Sequence, residues 1–179
     1  MYGISQKPVP DFSLLRNYRA PLHGDAWTAF LDCFTAEVTS TVSLPEFISA
    51  FYNSLPFWLE RRIIQAIIGR PSTRQDVQAL ASGTTDHFSA WVVLERNDTQ
   101  LLLGDYRGQT RSWLAVKPLP AGGTQLLFGS GIRSVPDPVT GAPSRSLGFR
   151  ALGGFHVLYS QVLLAAARQR LATGKARQG

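Results

Sequence analysis

The sequence predicts an α+β fold in which a curved antiparallel sheet of about five or more strands wraps around a long C-terminal helix. The longest helical pattern in the chain is also the last one, over residues 146–171. Four strand-like segments joined by short turns precede it, and before them one strand is followed by two short helices. A helix with one apolar stripe needs a broad apolar surface to lie on, and an antiparallel sheet supplies one.

Length and composition favour one domain without disulfides. A chain of 179 residues can bury a sizeable core, and its single cysteine, Cys33, cannot form an internal bridge. We therefore expect a reducing compartment, the cytoplasm. Residues 1–24 lack the apolar centre of a signal peptide, and no run is long enough to span a membrane. We divide the chain into an extended N-terminal arm (1–24) that packs locally if at all, a single domain (25–173) and a flexible basic tail (174–179).

The positive charge is not arranged for nucleic-acid binding. The net charge of +6 comes from residues scattered along the chain, without a basic stripe interleaved with aromatic platforms. The basic residues near the C-terminus suit the negative end of a helix dipole and a solvated tail. We expect neither a nucleic-acid nor a membrane partner, and the sequence does not indicate an oligomeric state.

The first half of the domain predicts one strand and two helices. From Asp32 to Thr39, apolar and polar residues alternate as in a half-buried strand. Ser43 and Glu46 then form the pattern of a capping box, which predicts a helix ending by Pro56. A second helix is predicted over residues 57–68. The polar segment over 72–85 has only a weak helical pattern, at 75–80.

The second half predicts an antiparallel meander followed by the long helix. The four strands are expected at about 87–96, 101–107, 111–117 and 124–132, joined by turns short enough for hairpins. On the final helix, a spacing of three and four residues places six side chains on one stripe: Leu152, Phe155, His156, Tyr159, Leu163 and Ala166. Gln161 and Arg168 are expected on the opposite side.

This order of elements is that of the helix-grip fold, and the chain resembles the START and pollen-allergen-like superfamily, also known as SRPBCC. The resemblance is most specific to an uncharacterised bacterial family, the domain of unknown function numbered 2867. It rests on TRSWLAV at 110–116, TQLLFGS at 124–130 and ALGGFHVLYSQVLLAAA at 151–167. The resemblance implies a ligand cavity between the sheet and the last helix.

Several common functional motifs are absent or unsupported. Gly129-Ser130-Gly131 lies late in a strand and opens no helix, so we interpret it as a bend or a position of close packing rather than a dinucleotide loop. His23, His87, His156 and Cys33 are widely spaced single residues, which does not favour a metal site. No serine lies in a G-x-S-x-G elbow. We expect no cofactor and no metal.

The candidate site consists of polar and aromatic residues on elements expected to face the interior between sheet and helix. His156 and Tyr159 come from the long helix, and the strands contribute five more candidates: His87, Trp91, Asp105, Arg111 and Trp113. In the strands, Asp105 shares a face with Arg107, Arg111 with Trp113, and His87 with Trp91. If these faces are concave, they line a cavity for an apolar ligand with one polar or anionic end. If they are convex, the same residues form an ordinary solvated face.

Three functions follow from this site. The leading hypothesis is binding of a small, largely apolar ligand. The superfamily resemblance implies a second, an enzyme of the cyclase or dehydratase kind with His156 or His87 as general base and Tyr159 or Arg111 polarising a carbonyl. The third is an interaction module whose concave face is filled by Phe and Trp side chains.

Overall fold

A computed structural model describes residues 3–18, 29–54, 73–133, 135–136, 143–144 and 147–175, with side chains of the last helix described over 157–173. The described helices are α1 (Leu14–Asn17), α2 (Leu44–Tyr52), α3 (Arg74–Ser82) and α4 (Leu147–Lys175). The described strands are β1 (Ser5–Gln6), β2 (Ala29–Val38), β3 (His87–Phe88), β4 (Trp91–Arg96), β5 (Gln100–Asp105), β6 (Thr110–Pro118), β7 (Thr124–Arg133), β8 (Val135–Pro136) and β9 (Pro143–Ser144). Within these ranges no helix has the length and apolar composition that crossing a bilayer would need.

Seven of these strands form one antiparallel sheet in the order β1-β2-β7-β6-β5-β4-β3. The longest pairing joins β2 to β7 through ten residue pairs, from Ala29↔Arg133 to Val38↔Thr124. Short turns join β4, β5, β6 and β7 into an antiparallel meander, as the sequence predicts. An α+β fold with an antiparallel sheet and a long C-terminal helix is therefore confirmed. The sheet has more strands than the five segments identified from sequence, because β1 joins it and one predicted strand is split.

The predicted strand over 87–96 is two strands joined by a hairpin turn. Ser89 has a φ of 55°, in the left-handed region, and Phe88 pairs directly with Trp91. This reversal places Phe88 and Trp91 on the same face of the sheet, so His87 lies on the opposite face. The prediction that His87 and Trp91 share a face is wrong, because it assumed an uninterrupted alternation through the turn.

The face of the sheet that α2, α3 and α4 cover forms the main core. Its strand residues include Phe34, Leu101, Leu103, Leu114, Leu126 and Phe128. Aromatic rings fill its centre: the ring centroids of Phe51 and Phe128 lie 4.8 Å apart, and those of Tyr52 and Phe88 lie 4.9 Å apart. Helix α2 thus contributes most of the rings that fill the space above the sheet.

The opposite, outer face of the sheet is also buried, beneath the N-terminal residues. This second core contains Val9, Leu14, Leu15, Cys33, Leu102, Trp113, Ala115 and Leu127. The sequence predicts an extended arm over 1–24 that packs locally if at all. Residues 3–18 differ from this: β1 pairs with β2 at the sheet edge, and α1 lies on the outer face. Leu14 and Leu15 anchor the segment because the strands below are apolar on both faces.

The early helices have the capping chemistry that their sequences indicate. The Ser43 backbone N–H donates to Glu46 Oε2 at 2.7 Å, and the Glu46 N–H donates to Ser43 Oγ at 3.4 Å, which is the predicted capping box. The weak helical pattern at 75–80 belongs to α3, which Thr73 caps in the same way through Asp76. The helix predicted over 57–68 lies outside the described residues.

The buried stripe of α4 differs from the predicted one. In its described part the buried residues are Ser160, Leu163, Leu164, Ala167 and Leu171, while Tyr159, Gln161, Ala166 and Arg168 are half-buried. Leu158 and Val162 are exposed. Of the predicted stripe residues whose side chains are described, Leu163 is buried, whereas Tyr159 and Ala166 are half-buried. Helix α4 packs against α2 as well as against β2 and β7. Its buried side therefore includes residues that face α2, and it differs from the stripe predicted for contact with the sheet alone.

Replacing Ser43 with Ala should lower the free energy of unfolding by about 0.5–2 kcal/mol, because the substitution removes the hydroxyl that accepts from the first turn of α2. Urea denaturation monitored by circular dichroism measures the change. A midpoint equal to that of the unaltered protein would contradict the capping role of Ser43.

Leu163→Ala should destabilise the protein by about 2–5 kcal/mol, because it leaves a cavity in the middle of the buried stripe. Leu158→Ala removes the same atoms from the same helix at a position that is 59% exposed, so we expect a change below about 0.5 kcal/mol. Equal losses in the two variants, measured by urea denaturation, would mean that α4 is packed on both sides.

Candidate functional site

Two of the predicted site residues border the main core on the side that the helices cover. Trp91 of β4 and Tyr159 of α4 are both half-buried and pack against that core. Val93 and Val157 accompany them on the same two elements and are also half-buried. Ile4, next to β1, is also half-buried against this core; the four side chains on β4 and α4 are called the apolar margin of the main core. His156 lies within α4, but its side chain is outside the described residues.

Two other predicted residues lie on the outer face of the sheet. Trp113 is 0% exposed in the second core, and Arg111 shares its face, with its guanidinium 4.9 Å from the centre of the Tyr18 ring. Both were expected to face the helices if that face was concave, so this placement corrects the prediction. The reason is alternation: Leu114 and Val116 of the same strand point into the main core. Nor is the face solvated, because residues 3–18 cover it.

The remaining predicted residues have local roles at the ends of strands. Asp105 Oδ1 accepts from the backbone N–H groups of Gln109 and Thr110 at 2.7 and 3.3 Å, so its carboxylate closes the turn between β5 and β6. Arg107 Nε donates to the Tyr106 hydroxyl at 2.9 Å rather than pairing with Asp105. His87 is exposed. None of these contacts belongs to the interior beneath the helices.

Among the described residues, the groups named as alternatives for catalysis are divided between the two faces of the sheet. Tyr159 borders the helix-covered core, whereas Arg111 and the exposed His87 lie on the outer face. The combination of His156 with Tyr159 stays a prediction. The described residues also contain no group of three or more His, Cys, Asp or Glu side chains arranged to hold a metal ion. Burial, with a smaller contribution from Asp32, raises the pKa of the Cys33 thiol to about 12, so this thiol is not an activated nucleophile.

Gln100 is a structural residue that the sequence did not identify. Its side chain is 8% exposed, and its Oε1 accepts from Trp113 Nε1 at 2.9 Å and from the Leu14 backbone N–H at 3.0 Å. Its Nε2 donates to the Phe12 carbonyl at 3.4 Å. A buried indole N–H needs an acceptor, so the Trp113 indole was the signal that could have pointed to a polar neighbour.

Arg96 is a second polar residue with an unanticipated role. Its guanidinium donates to the carbonyls of Leu80 and Ala81, the latter at 2.5 Å, and so satisfies the C-terminal end of α3. Burial lowers the pKa of the Arg96 guanidinium from its ordinary value. The contact ties α3 to β4.

The glycine-serine-glycine segment in β7 has the packing role that its sequence indicates. Gly129 pairs with Cys33, and a Cβ atom at this position would lie 2.9 Å from the Trp113 ring and 3.0 Å from Leu15 Cδ2. A side chain would therefore displace both. The interpretation of close packing is confirmed at Gly129.

Comparisons with known proteins do not add to this geometry: no protein-family model and no curated protein matches the chain. The described residues thus present an apolar margin on the helix-covered face and, on the outer face, a second core that residues 3–18 cover, with Leu94 half-buried at its border.

Trp113→Phe should lower the free energy of unfolding by about 2–3 kcal/mol, because it leaves a void in the second core and removes the donor to Gln100. Trp91→Phe, at a half-buried position, is the matched control and should cost less than about 1 kcal/mol. Urea denaturation compares the two. A smaller loss for Trp113 than for Trp91 would contradict their placement.

Proposed function

We propose that this chain is a binding module of the helix-grip type that takes a small, largely apolar ligand against the apolar margin formed by Trp91, Val93, Val157 and Tyr159. The single observation that carries the proposal is the incomplete burial of these four side chains at the border of an otherwise closed core. Leu101 and Leu103 of the adjacent β5, by contrast, are at most 1% exposed.

The order of the strands supports the helix-grip part of the proposal. The long strand that precedes the helices pairs with the last strand of the meander, and the final helix returns across these two strands. Such a topology places the last helix over the sheet and leaves the β4 end farther from it. The resemblance to the helix-grip superfamily implies a ligand site between the sheet and this helix.

The chemistry of the margin indicates the class of ligand. Two valines supply apolar surface without polar atoms, while the Trp91 indole and the Tyr159 phenol each combine a broad apolar ring with one hydrogen-bonding group. This combination suits an apolar molecule that carries a single polar end. We also propose that the chain is related to the domain of unknown function numbered 2867. This resemblance is carried by residues 110–116, 124–130 and 151–167, and the helix-grip superfamily that it implies fits a ligand of this class.

The main alternative is an interaction module with a filled interior. It is favoured by one observation: the rings of Phe47, Phe51, Tyr52, Phe88 and Phe128 occupy the centre of the main core, each at most 6% exposed. A ligand would then have only the margin to bind. The two functions differ in whether the purified protein takes up a small apolar molecule at one saturable site.

The test uses an uncharged apolar fluorophore, N-phenyl-1-naphthylamine, titrated into the native full-length chain. We expect saturable binding at one site, and Trp91→Ala should weaken it by about tenfold or more, which corresponds to about 1.4 kcal/mol. Phe12→Ala is the matched control, since Phe12 is an aromatic residue that is 48% exposed and contacts Trp113 on the outer side of the sheet. This control should bind the fluorophore as the unaltered protein does.

Two results would contradict the proposal. The first is the absence of saturable binding by a folded protein, which would favour the interaction module. The second is an equal loss of affinity in Trp91→Ala and Phe12→Ala, which would place the binding surface elsewhere. Tyr159→Phe adds a finer measurement: it should preserve binding of the uncharged fluorophore, because it keeps the ring and removes only the hydroxyl.

A further inference from the structure

We propose that residues 3–18 form a strap that opens as one unit while the rest of the fold stays intact, uncovering the edge of β2 and the outer face of the sheet. Most of the strap lies on the face opposite the proposed ligand site, although its Ile4 packs against the main core. Opening would convert a closed sheet edge and a covered apolar surface into accessible ones without unfolding the main core.

The strap is attached to the domain at two places. At the sheet edge, Ser5 and Gln6 pair with Thr35 and Phe34, and the Lys7 N–H donates to the Cys33 carbonyl at 2.9 Å. On the outer face, Gln100 holds the backbone of the strap. Its side chain bonds the Leu14 N–H and the Phe12 carbonyl, as described above. One edge pairing and one buried amide therefore carry the described backbone hydrogen bonds between strap and domain.

The strap is also internally bonded, which suits movement as a single body. Arg16 Nη2 donates to the Val9 carbonyl at 2.8 Å, and Asn17 Nδ2 donates to the Asp11 carbonyl at 2.5 Å. Ser13 caps α1 by accepting from the Arg16 N–H at 3.2 Å. These contacts lie within the strap, so opening does not require them to break.

The apolar contribution of the strap is small compared with that of the domain. Val9, Leu14 and Leu15 are its buried apolar residues, and Ile4 and Tyr18 are half-buried, whereas the main core contains several residues from each of α2, α3 and α4 and others from five strands. Segments with few buried apolar contacts open at a lower free energy than the core does. The strap therefore has the balance of contacts expected of a local opening unit.

Cys33 provides a chemical reporter of this motion. It is the only cysteine in the chain, it is 0% exposed, and it lies in the second core with Val9, Leu14 and Leu15. Burial suppresses its ionisation in the closed form. Since only the thiolate reacts with alkylating reagents, the rate of Cys33 alkylation measures how often the strap is open.

The experiment measures iodoacetamide alkylation of Cys33 at pH 8 in the full-length chain, by mass spectrometry, across urea concentrations below the unfolding transition. Local opening predicts a rate that rises with urea less steeply than global unfolding does, because opening exposes only the strap and the outer face, a part of the surface that unfolding exposes. Gln100→Leu should raise the rate by roughly tenfold or more. In this variant the Leu14 N–H and the Trp113 indole N–H lose their acceptor in the closed form, but water can satisfy the Leu14 group after opening.

Two control variants separate the strap from the rest of the fold. Gln125→Leu makes the same chemical change on β7, two strands away from β5, at a position outside the three Gln100 hydrogen bonds, and it should leave the rate unchanged. Leu163→Ala weakens the main core on the other face, and it should also leave the rate unchanged in the absence of urea. Alkylation that rises with urea as steeply as global unfolding, or that Leu163→Ala accelerates as much as Gln100→Leu does, would overturn the proposal. Should Gln100→Leu not fold, the urea dependence of the unaltered protein decides on its own.

Discussion

The pairing of β2 with β7 is the constraint on which the other described elements depend. Ten residue pairs fix the register between the first long strand and the last one, and a slip of one residue would exchange the two faces of β2. With this register, Phe34, Ala36 and Val38 face the helices while Cys33 faces the strap. Helix α4 lies across the same two strands, so the pairing also positions the half-buried Tyr159.

The fold was predictable where local chemistry and tertiary packing favour the same structure. The capping box at Ser43 and Glu46, the short turns of the meander and the long final helix each carry a local signal that the structure follows. The split at Ser89 was not predictable from alternation, because a serine with positive φ has no strong sequence signature. The α4 stripe was ambiguous because apolar residues occur on several sides of that helix, including the exposed Leu158 and Val162.

The candidate site was predictable only in part because the sheet is buried on both faces. Strands β5, β6 and β7 are buried at most of their positions, and each contains an uninterrupted apolar stretch (LLL, WLAV and LLF), so alternation could not tell which side of each strand meets the helices. Trp91 and Tyr159 lie on the helix-covered side, as predicted. Trp113 and Arg111 were predicted for the same side but lie on the outer side. Gln100 could not be recognised, because its partners Phe12 and Leu14 are distant in sequence and are brought together only by the strap.

The β2–β7 ladder has a consequence for the order in which the domain assembles. The paired residues are roughly a hundred positions apart in the chain, as in Ala29↔Arg133, whereas the neighbouring hairpins β4-β5 and β5-β6 join residues close in sequence. Long-range pairings of this kind form late, because the intervening chain must first be brought together. During synthesis from the N-terminus, β2 therefore lacks its long partner strand until β7 has been made. Until then Phe34 and Ala36 of β2 have no completed sheet and no α4 to pack against, so this strand is the part of the chain that must stay soluble longest without its core.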